Sequence, residues 1–227
     1  MSDDDAPKTL NIWPGVTATA IVAVSMLAAS AWVWDQIPDR VPVHFGVDGT
    51  ADRYGAKWEA LLIMPGVVAL IGVIMAVLPQ IDPRRSNLAQ SGGFYYAIWY
   101  GELMVMSVAH AVLITAAMGL VANVAQILFV AVGALFVLIG NYLGKSRPNW
   151  FAGFRTPWTL SSDYSWQKTH RIAGWMFMLT GMGVMLAAIV LSPVAAFVAM
   201  IIGTMGTVIL GTFLSYLYWK NDPEKRS

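Results

Sequence analysis

Residues 144–171 carry the side chains of this chain that are best suited to bind a charged ligand. The stretch interrupts an otherwise apolar sequence and contains five of the fourteen basic residues, namely Lys145, Arg147, Arg155, Lys168 and Arg171. Ammonium and guanidinium groups bind phosphates and carboxylates. The stretch also contains three tryptophans, a residue type that favours the headgroup layer of a membrane, namely Trp150, Trp158 and Trp166. It is therefore interpreted either as a cap that anchors two membrane helices or as a rigid platform for a specific partner.

The local sequence predicts how this stretch folds. The two residues that precede a proline, Arg147 and Thr156, are biased towards an extended conformation. Residues 161–163 offer a helix N-cap. Beyond them Trp166, His170 and Arg171 recur at helical spacing. We therefore expect a turn-rich cap that folds back under the membrane and re-enters it as a helix.

Two ionisable residues, Glu102 and His110, fall inside an apolar run, where an ionised group costs a few kcal/mol near the bilayer centre. Eight residues along a helix separate them by about 12 Å and about 80°, so they lie on neighbouring faces without touching. One interpretation is a proton or ligand pathway. The other is structural, with a neutral histidine bonded to a carbonyl or hydroxyl group and a glutamate near the cytoplasmic interface. In that position Glu102 could meet a cation of residues 144–171.

The polar residues 35–59 contain a second patterned segment. Residues 41–47 alternate between apolar and other side chains, which predicts an extended segment. Pro42 has no N–H to donate, so it confines the segment to a sheet edge, and residues 48–49 form an Asp-Gly turn signal. This segment is interpreted either as an ordered connector on the outer membrane surface or as an edge strand to which a peptide could add.

Neither stretch predicts a metal site. His44, Asp48 and Asp52 are four residues apart, but that spacing does not bring ligands together on an extended chain. The chain has no cysteine, which excludes disulfides, thiolate metal ligands and cysteine nucleophiles.

The composition determines the class of protein that must position these side chains. Of the 227 residues, 57% are hydrophobic and only 12% are charged, whereas a soluble domain has about 25% charged residues. Several apolar runs near twenty residues predict an integral membrane protein. The acidic residues 3–5 do not suit a signal peptide, so we expect the first apolar run to be retained.

We predict an all-α polytopic fold with six transmembrane helices. Their predicted spans are residues 14–34, 61–78, 97–119, 123–143, 172–191 and 194–219. The predicted organisation is a disordered tail 1–13, a two-helix unit 14–95 with the loop 35–59, a four-helix unit 96–219 with the cap 144–171, and a tail 220–227. Small residues in the last two helices predict close helix packing, namely Gly174, Gly181, Gly183, Gly203, Gly206 and Gly211.

The distribution of basic residues predicts the orientation. Six spans place both termini and the cap 144–171 on one side, with eleven of the fourteen Lys and Arg residues. The opposite side has Arg40, Arg53 and Lys57. Because cytoplasmic loops carry an excess of Lys and Arg, we expect both termini to be cytoplasmic and residues 35–59 to face outward.

The two polar stretches resemble known sequences. The first is similar to the signature of the SdpI family of bacterial membrane proteins. The similar residues are, in order, Gly140-Asn141-Tyr142, Arg147-Pro148-Asn149-Trp150, Arg155-Thr156-Pro157-Trp158, Trp166 and Lys168-Thr169-His170-Arg171. The second resembles a domain of unknown function that often precedes that signature. The residues that carry this resemblance are Ile37-Pro38, Pro42, His44-Phe45, Gly49 and Asp52-Arg53-Tyr54-Gly55. The candidate binding residues of the signature are Asn141, Lys145, Arg147, Asn149, Trp150, Arg155, Thr156, Trp158, Trp166, Lys168, His170 and Arg171. Those of the outward loop are Pro42, His44, Phe45, Gly49, Asp52, Arg53 and Tyr54.

The resemblance implies an immunity or signalling protein of the bacterial inner membrane. It implies resistance to a secreted toxin peptide outside and capture of a repressor protein inside, with membrane lipids as further partners and no direct contact with nucleic acid. It brings no catalytic residues, no cofactor and no metal, so we expect a protein that is not an enzyme.

Two other functions remain open. One is a transporter or channel that uses Glu102 and His110. The other is an enzyme for lipid headgroups, with phosphate ligands and an acid–base group supplied by Arg147, Arg155, Lys168, His170 and Arg171.

Overall fold

The computed structural model describes residues 9–120 and 123–225, without the side chain of Lys225. Most of the predicted disordered tail 1–13 and the last two residues lie outside this described part. The elements in chain order are α1 Trp13–Val33, β1 Arg40–Phe45, β2 Ala51–Ala56, α2 Lys57–Ile81, α3 Arg85–Gln90, α4 Gly92–Ala117, α5 Val124–Leu143, α6 Pro157–Leu160, α7 Asp163–Val190 and α8 Pro193–Lys220, followed by a 3-10 turn Pro223–Lys225.

Six helices of the described chain are long and apolar enough to cross a membrane, as predicted. They are α1, α2, α4, α5, α7 and α8. The largest difference from the predicted spans is in α7, which begins nine residues before the expected position 172. It begins there because the Ser162 hydroxyl accepts a hydrogen bond from the Ser165 N–H at 3.0 Å, as the sequence of residues 161–163 predicts.

Buried aromatic side chains join α4 to α1 and α2. Trp99 and Tyr95 are fully buried in α4. The Trp99 Nε1–H donates to Thr19 Oγ1 at 2.9 Å, and the Tyr95 hydroxyl donates to the Met75 carbonyl. Aromatic residues with a polar atom can be buried in this way because that atom finds a hydrogen-bond partner.

Glycines bring α5 and α7 into backbone contact. A Cβ on Gly140 would lie 2.5 Å from the Gly174 carbonyl oxygen, and one on Gly133 would lie 2.7 Å from that of Gly181. Small residues allow this approach, which strengthens packing between helices in lipid. The expectation of close packing is wrong for two glycines, Gly183 and Gly206, where a Cβ would have nothing within 4 Å.

Residues 40–56 form an antiparallel hairpin. Val41 pairs with Gly55 and Pro42 with Tyr54, and the register is irregular around His44. The predicted extended segment and turn at residues 48–49 are present, with Gly49 at φ +86°. The second strand, β2, was not predicted, since its residues Ala51–Ala56 lack an apolar alternation.

The hairpin is held against the helices at both its base and its tip. Val41 is fully buried in a cluster that includes Val33 of α1 and Leu61 of α2. At the tip, a Cβ on Gly49 would lie 3.3 Å from the Cβ and backbone N of Ala125, at the beginning of α5. The hairpin is therefore an ordered part of the fold at the end of the molecule opposite the cap 144–171.

Candidate functional site

The cap 144–171 is built around a buried histidine. His170 is fully buried, and its Nε2 accepts from the Phe154 N–H at 2.9 Å. The proton therefore sits on Nδ1, which donates to the Trp166 carbonyl at 2.8 Å. The ring stacks on Trp166 with centroids 3.9 Å apart. Both ring nitrogens are satisfied within the protein, so His170 positions the loop at Phe154.

Trp166 and Gly153 complete this centre. The Trp166 Nε1–H donates to the Ser146 carbonyl at 3.0 Å and ties α7 to the end of α5. Gly153 has φ +117°, and a Cβ there would lie 2.3 Å from His170 Nε2. Trp166 is fully buried within the protein, while Trp150 is 48% exposed, so only Trp150 of these two could contact lipid directly.

Asn149 organises the turn that precedes Gly153. It is fully buried, its Oδ1 accepts from the N–H groups of Phe151 and Ala152 at 2.9 and 3.0 Å, and its Nδ2 donates to the Arg147 carbonyl at 2.8 Å. An amide side chain that supplies donors and acceptors in this way replaces the missing secondary structure of the loop.

The loop between α2 and α4 is bonded to this cap, which the sequence did not indicate. Asp82 is buried, and its two oxygens accept from the Arg84 N–H at 2.7 Å and the Trp150 N–H at 3.1 Å. The Arg84 guanidinium donates to the Leu160 carbonyl at 2.8 Å, and Asn87 Nδ2 donates to the Pro148 carbonyl at 2.9 Å.

The end of α8 holds the cap from the other side. Thr156 forms a capping box with Thr159 at the start of α6, and its hydroxyl lies 3.0 Å from the Ser215 hydroxyl. The Ser162 hydroxyl donates to Asp222 Oδ2 at 2.5 Å. Trp158 contacts Tyr216 edge-on, with centroids 5.3 Å apart.

Four cations of the cap line one cleft. Its volume is about 400 Å³, and it lies between the end of α5 and the first turns of α7. Its lining consists of Gly144, Lys145, Ser146, Arg147, Gln167, Lys168 and Arg171, which include no carboxylate. We call this the basic cleft.

Arg155 lies elsewhere. It lines an apolar cavity of about 490 Å³ between α4, α5, α7 and α8, and its guanidinium donates to the Trp150 carbonyl at 2.5 Å. The predicted phosphate site of five residues is therefore wrong as a single constellation. Arg155 and His170 are outside the basic cleft, and Asn141 is exposed on α5 without lining it.

Polar and charged side chains of the hairpin have partners within the hairpin and in α2. His44 Nδ1 lies 2.6 Å from Asp52 Oδ1, and Arg53 Nη1 lies 2.5 Å from Glu59 Oε1 of α2. Exposed pairs of this kind contribute about 1 kcal/mol or less each. Tyr54 remains 54% exposed on β2.

Asp48 stabilises the hairpin turn instead of joining His44. Its Oδ1 accepts from the Thr50 N–H at 3.0 Å and the Thr50 hydroxyl at 2.8 Å. These hydrogen bonds, the backbone one first, hold the pKa of Asp48 below its ordinary value. Among the described residues no group of three His, Asp or Glu side chains could hold a metal ion.

The two ionisable residues of α4 have different environments. His110 Nε2 lies 3.1 Å from Ser30 Oγ and 3.3 Å from the Met26 carbonyl, and Ser30 donates to the Leu61 carbonyl. The Ser30 hydroxyl thus accepts from His110 Nε2–H, as expected of a structural histidine, while the buried His110 Nδ1 has no partner in the described chain. The predicted contact of Glu102 with a cation of the cap is wrong, because neither carboxylate oxygen has a partner in the described chain.

Comparison with family models identifies both polar stretches. Residues 145–218 match the model of the SdpI/YfhL protein family, and residues 21–69 match a domain of unknown function, DUF1648. The chain is therefore similar to the SdpI/YfhL protein family over residues 145–218. Together with its six apolar helices, this makes it a multi-pass protein of the bacterial cell membrane.

Individual relatives of this chain are distant in sequence. The Immunity protein SdpI of Bacillus subtilis is 21% identical over 211 residues, which span 90% of this chain and 95% of that protein. An uncharacterized protein of Archaeoglobus fulgidus is 32% identical over 71 residues, or 29% of this chain and 38% of that protein. No solved structure matches the chain.

The family match includes only some of the residues that form the hydrogen bonds of the cap. Residues 145–218 contain His170 with its contacts Trp166 and Gly153, the basic cleft residues from Lys145 onward, and Ser215. The partners Asp82, Arg84 and Asn87 lie between the two matched regions, and Asp222 lies after the second. Their one local signal is that Asp82 and Asp222 each precede a proline, a pattern common to many turns.

Proposed function

We propose that this chain is a membrane immunity protein that protects a bacterium from an antimicrobial peptide arriving at the hairpin side. The observation that carries the proposal is the alignment with Immunity protein SdpI across 90% of the chain. An alignment of that extent spans both the hairpin and the cap, the two parts that could receive a ligand in this proposal.

The hairpin offers an edge for an extended peptide. In a two-stranded sheet each strand has one unpaired edge, and β1 contains Pro42, which lacks an N–H. The strand β2 has no proline, and its residues Asp52, Arg53 and Tyr54 are exposed. A toxin peptide would add to β2 through main-chain hydrogen bonds, with Tyr54 as the side-chain contact.

Helix α5 gives the two ends of the molecule a physical link. Its first turn lies under Gly49 of the hairpin, and its last turn leads into the cap, where Gly144 contacts Arg171. In this proposal the peptide bound at β2 acts through α5 on the cap. The cap then captures a repressor protein on the cytoplasmic side.

Survival of a sensitive bacterium tests the immunity proposal. The chain would be expressed in a strain that is killed by the family's toxin peptide, beside Tyr54→Ala and Arg155→Ala variants and the exposed control Trp13→Ala. We expect wild type and control to protect, and both site variants to lose protection while inserting normally. The immunity proposal is wrong if wild-type protein inserts into the membrane but does not protect the cells. If both variants protect fully, the hairpin and the cap do not have the proposed roles.

The capture of a repressor needs a separate measurement. A fluorescent fusion of the repressor that accompanies the toxin system would be followed in cells with and without toxin. We expect membrane fluorescence that appears with toxin and decreases in Arg155→Ala. A repressor that stays in the cytoplasm of toxin-protected cells would limit the function to immunity.

One observation favours transport as a second candidate function. Glu102 has both carboxylate oxygens buried without a hydrogen-bond partner in the described chain, and such a group in a membrane helix is a common element of ion pathways. Proteoliposomes that show a pH-dependent ion flux, lost in Glu102→Gln, would support transport. Absence of flux for protons, sodium and potassium would exclude that candidate for these ions.

A further inference from the structure

The basic cleft has a charge pattern unlike that of the hairpin. Two ion pairs, Arg53–Glu59 and Lys57–Asp39, lie beside the hairpin, and His44 contacts Asp52 within it. In the part of the chain that the structure describes, no carboxylate lies within ion-pair distance of the four cations of the basic cleft. These cations are Lys145, Arg147, Lys168 and Arg171. Four uncompensated positive charges around one concavity create a local potential that attracts anions.

The walls of the basic cleft are fixed before any ligand arrives. The Trp166–Ser146 hydrogen bond joins one wall to the other, and a Cβ on Gly144 would lie 3.1 Å from the Arg171 Cα. The backbone N–H of Arg147 donates to Ser91 Oγ at 2.8 Å. A site whose backbone is already ordered loses little entropy on binding.

Aromatic contacts restrict the two lysines as well. Lys145 Nζ lies 4.9 Å from the ring centre of Tyr142, and Lys168 Nζ lies 5.6 Å from that of Tyr164. A cation near the face of an aromatic ring is attracted by the ring quadrupole, so these contacts favour a limited set of ammonium positions.

We propose that the basic cleft binds the phosphate group of an anionic ligand through Lys145, Arg147, Lys168 and Arg171. Arginine provides paired donors for phosphate oxygens and lysine a compact charge, so together they suit a phosphate better than a single carboxylate. The position of the cleft at the ends of two spanning helices admits two sources, an anionic lipid headgroup and a soluble phosphate compound. With His170 buried outside the cleft and already bonded, the site binds the ligand without acid–base chemistry.

Ligand-dependent thermal stability of the purified full chain tests this site. One arm adds inorganic pyrophosphate to protein in a neutral detergent, and the other compares nanodiscs of phosphatidylcholine with nanodiscs containing increasing phosphatidylglycerol. The site variant is Lys168→Gln with Arg171→Gln. The control is Arg85→Gln with Lys220→Gln, which removes two exposed cations from the same end of the molecule and leaves the cleft intact.

We expect at least one probe to raise the melting temperature of wild type and control, and the site variant to bind it roughly 30-fold more weakly. An effect of pyrophosphate identifies a soluble phosphate ligand, and an effect of phosphatidylglycerol alone identifies a lipid headgroup. The proposal is wrong if neither probe stabilises wild type, or if site variant and control lose the same affinity. It does not depend on the immunity proposal, because the assay contains no toxin.

Discussion

At Gly153 the backbone of the cap packs directly against His170 of α7. We expect Gly153→Ala to reduce the free energy of unfolding by roughly 2–4 kcal/mol, since alanine is strained at φ +117° and its Cβ would overlap the His170 ring. Thermal unfolding in detergent would measure the loss. Gly183→Ala is the matched control, because its Cβ meets open space, and it should change stability by about 1 kcal/mol or less. Equal effects of the two variants would contradict the close approach at Gly153.

The turn of the hairpin predicts a pH dependence at Asp48. Its pKa lies below the ordinary value of 3.8 because two hydrogen bonds from Thr50 favour the ionised form. The resulting stabilisation is fully present above the ordinary pKa and is lost as the pH falls through the lower folded value. We expect Thr50→Val to raise the pKa of Asp48 towards 3.8 without reaching it, since the backbone N–H remains.

Carbon NMR of labelled aspartate carboxyl groups would measure that change in the intact protein. Thr17→Val, an exposed threonine on α1, serves as the control and should leave the Asp48 titration unchanged. A Thr50→Val protein that titrates like wild type would show that the hydroxyl contact does not exist in solution.

Local patterns predicted the local conformation of the cap better than its tertiary contacts. The spacing of Trp166 and His170 correctly gives one helical face. It could not show that His170 is sealed by Phe154 and Gly153, because that contact depends on a loop folding back sixteen residues earlier in the chain. For the same reason Arg155 and Arg171, close in sequence, line different cavities.

At the scale of elements, the crossing of α5 and α7 leaves no space for a larger side chain at Gly140. We expect Gly140→Val to destabilise the fold by about 3 kcal/mol or more, because the new side chain meets the backbone of Gly174, which cannot rotate away. Gly66→Val in α2, where a Cβ meets open space, is the control and should fold normally. Size-exclusion profiles and thermal unfolding of both variants would test this, and a well-folded Gly140→Val protein would contradict the crossing.

Hydropathy predicts long helices well, because a span must satisfy its backbone within itself. The six spans and the N-cap of α7 follow from such local information. The short helices α3 and α6 were not predicted, since their positions depend on bonds to distant residues such as Leu160 to Arg84 and Thr156 to Ser215. The strand β2 was missed because its partner strand, rather than its own pattern, defines it.

At the scale of the whole molecule, the excess of basic residues at one end predicts the orientation in the membrane. The chain has no cysteine, so single cysteines can report it directly. We expect Val47→Cys at the hairpin tip to react with a membrane-impermeant maleimide in intact cells, and Ser86→Cys in α3 to react only after permeabilisation. Both positions are exposed. The reverse labelling pattern would show that the orientation is opposite to the predicted one, with the hairpin inside the cell.

Asp222 also determines when the cap can be completed during synthesis. The side chain that bonds the Ser162 hydroxyl is added 60 residues after it, beyond the last spanning helix. The loop between α2 and α4 has left the ribosome long before its partners Pro148, Trp150 and Leu160 exist. Because the cap needs both early and late segments, it matures only after the final helix has entered the membrane. Any interruption of insertion therefore leaves the cap incomplete, while the earlier hairpin can already be folded.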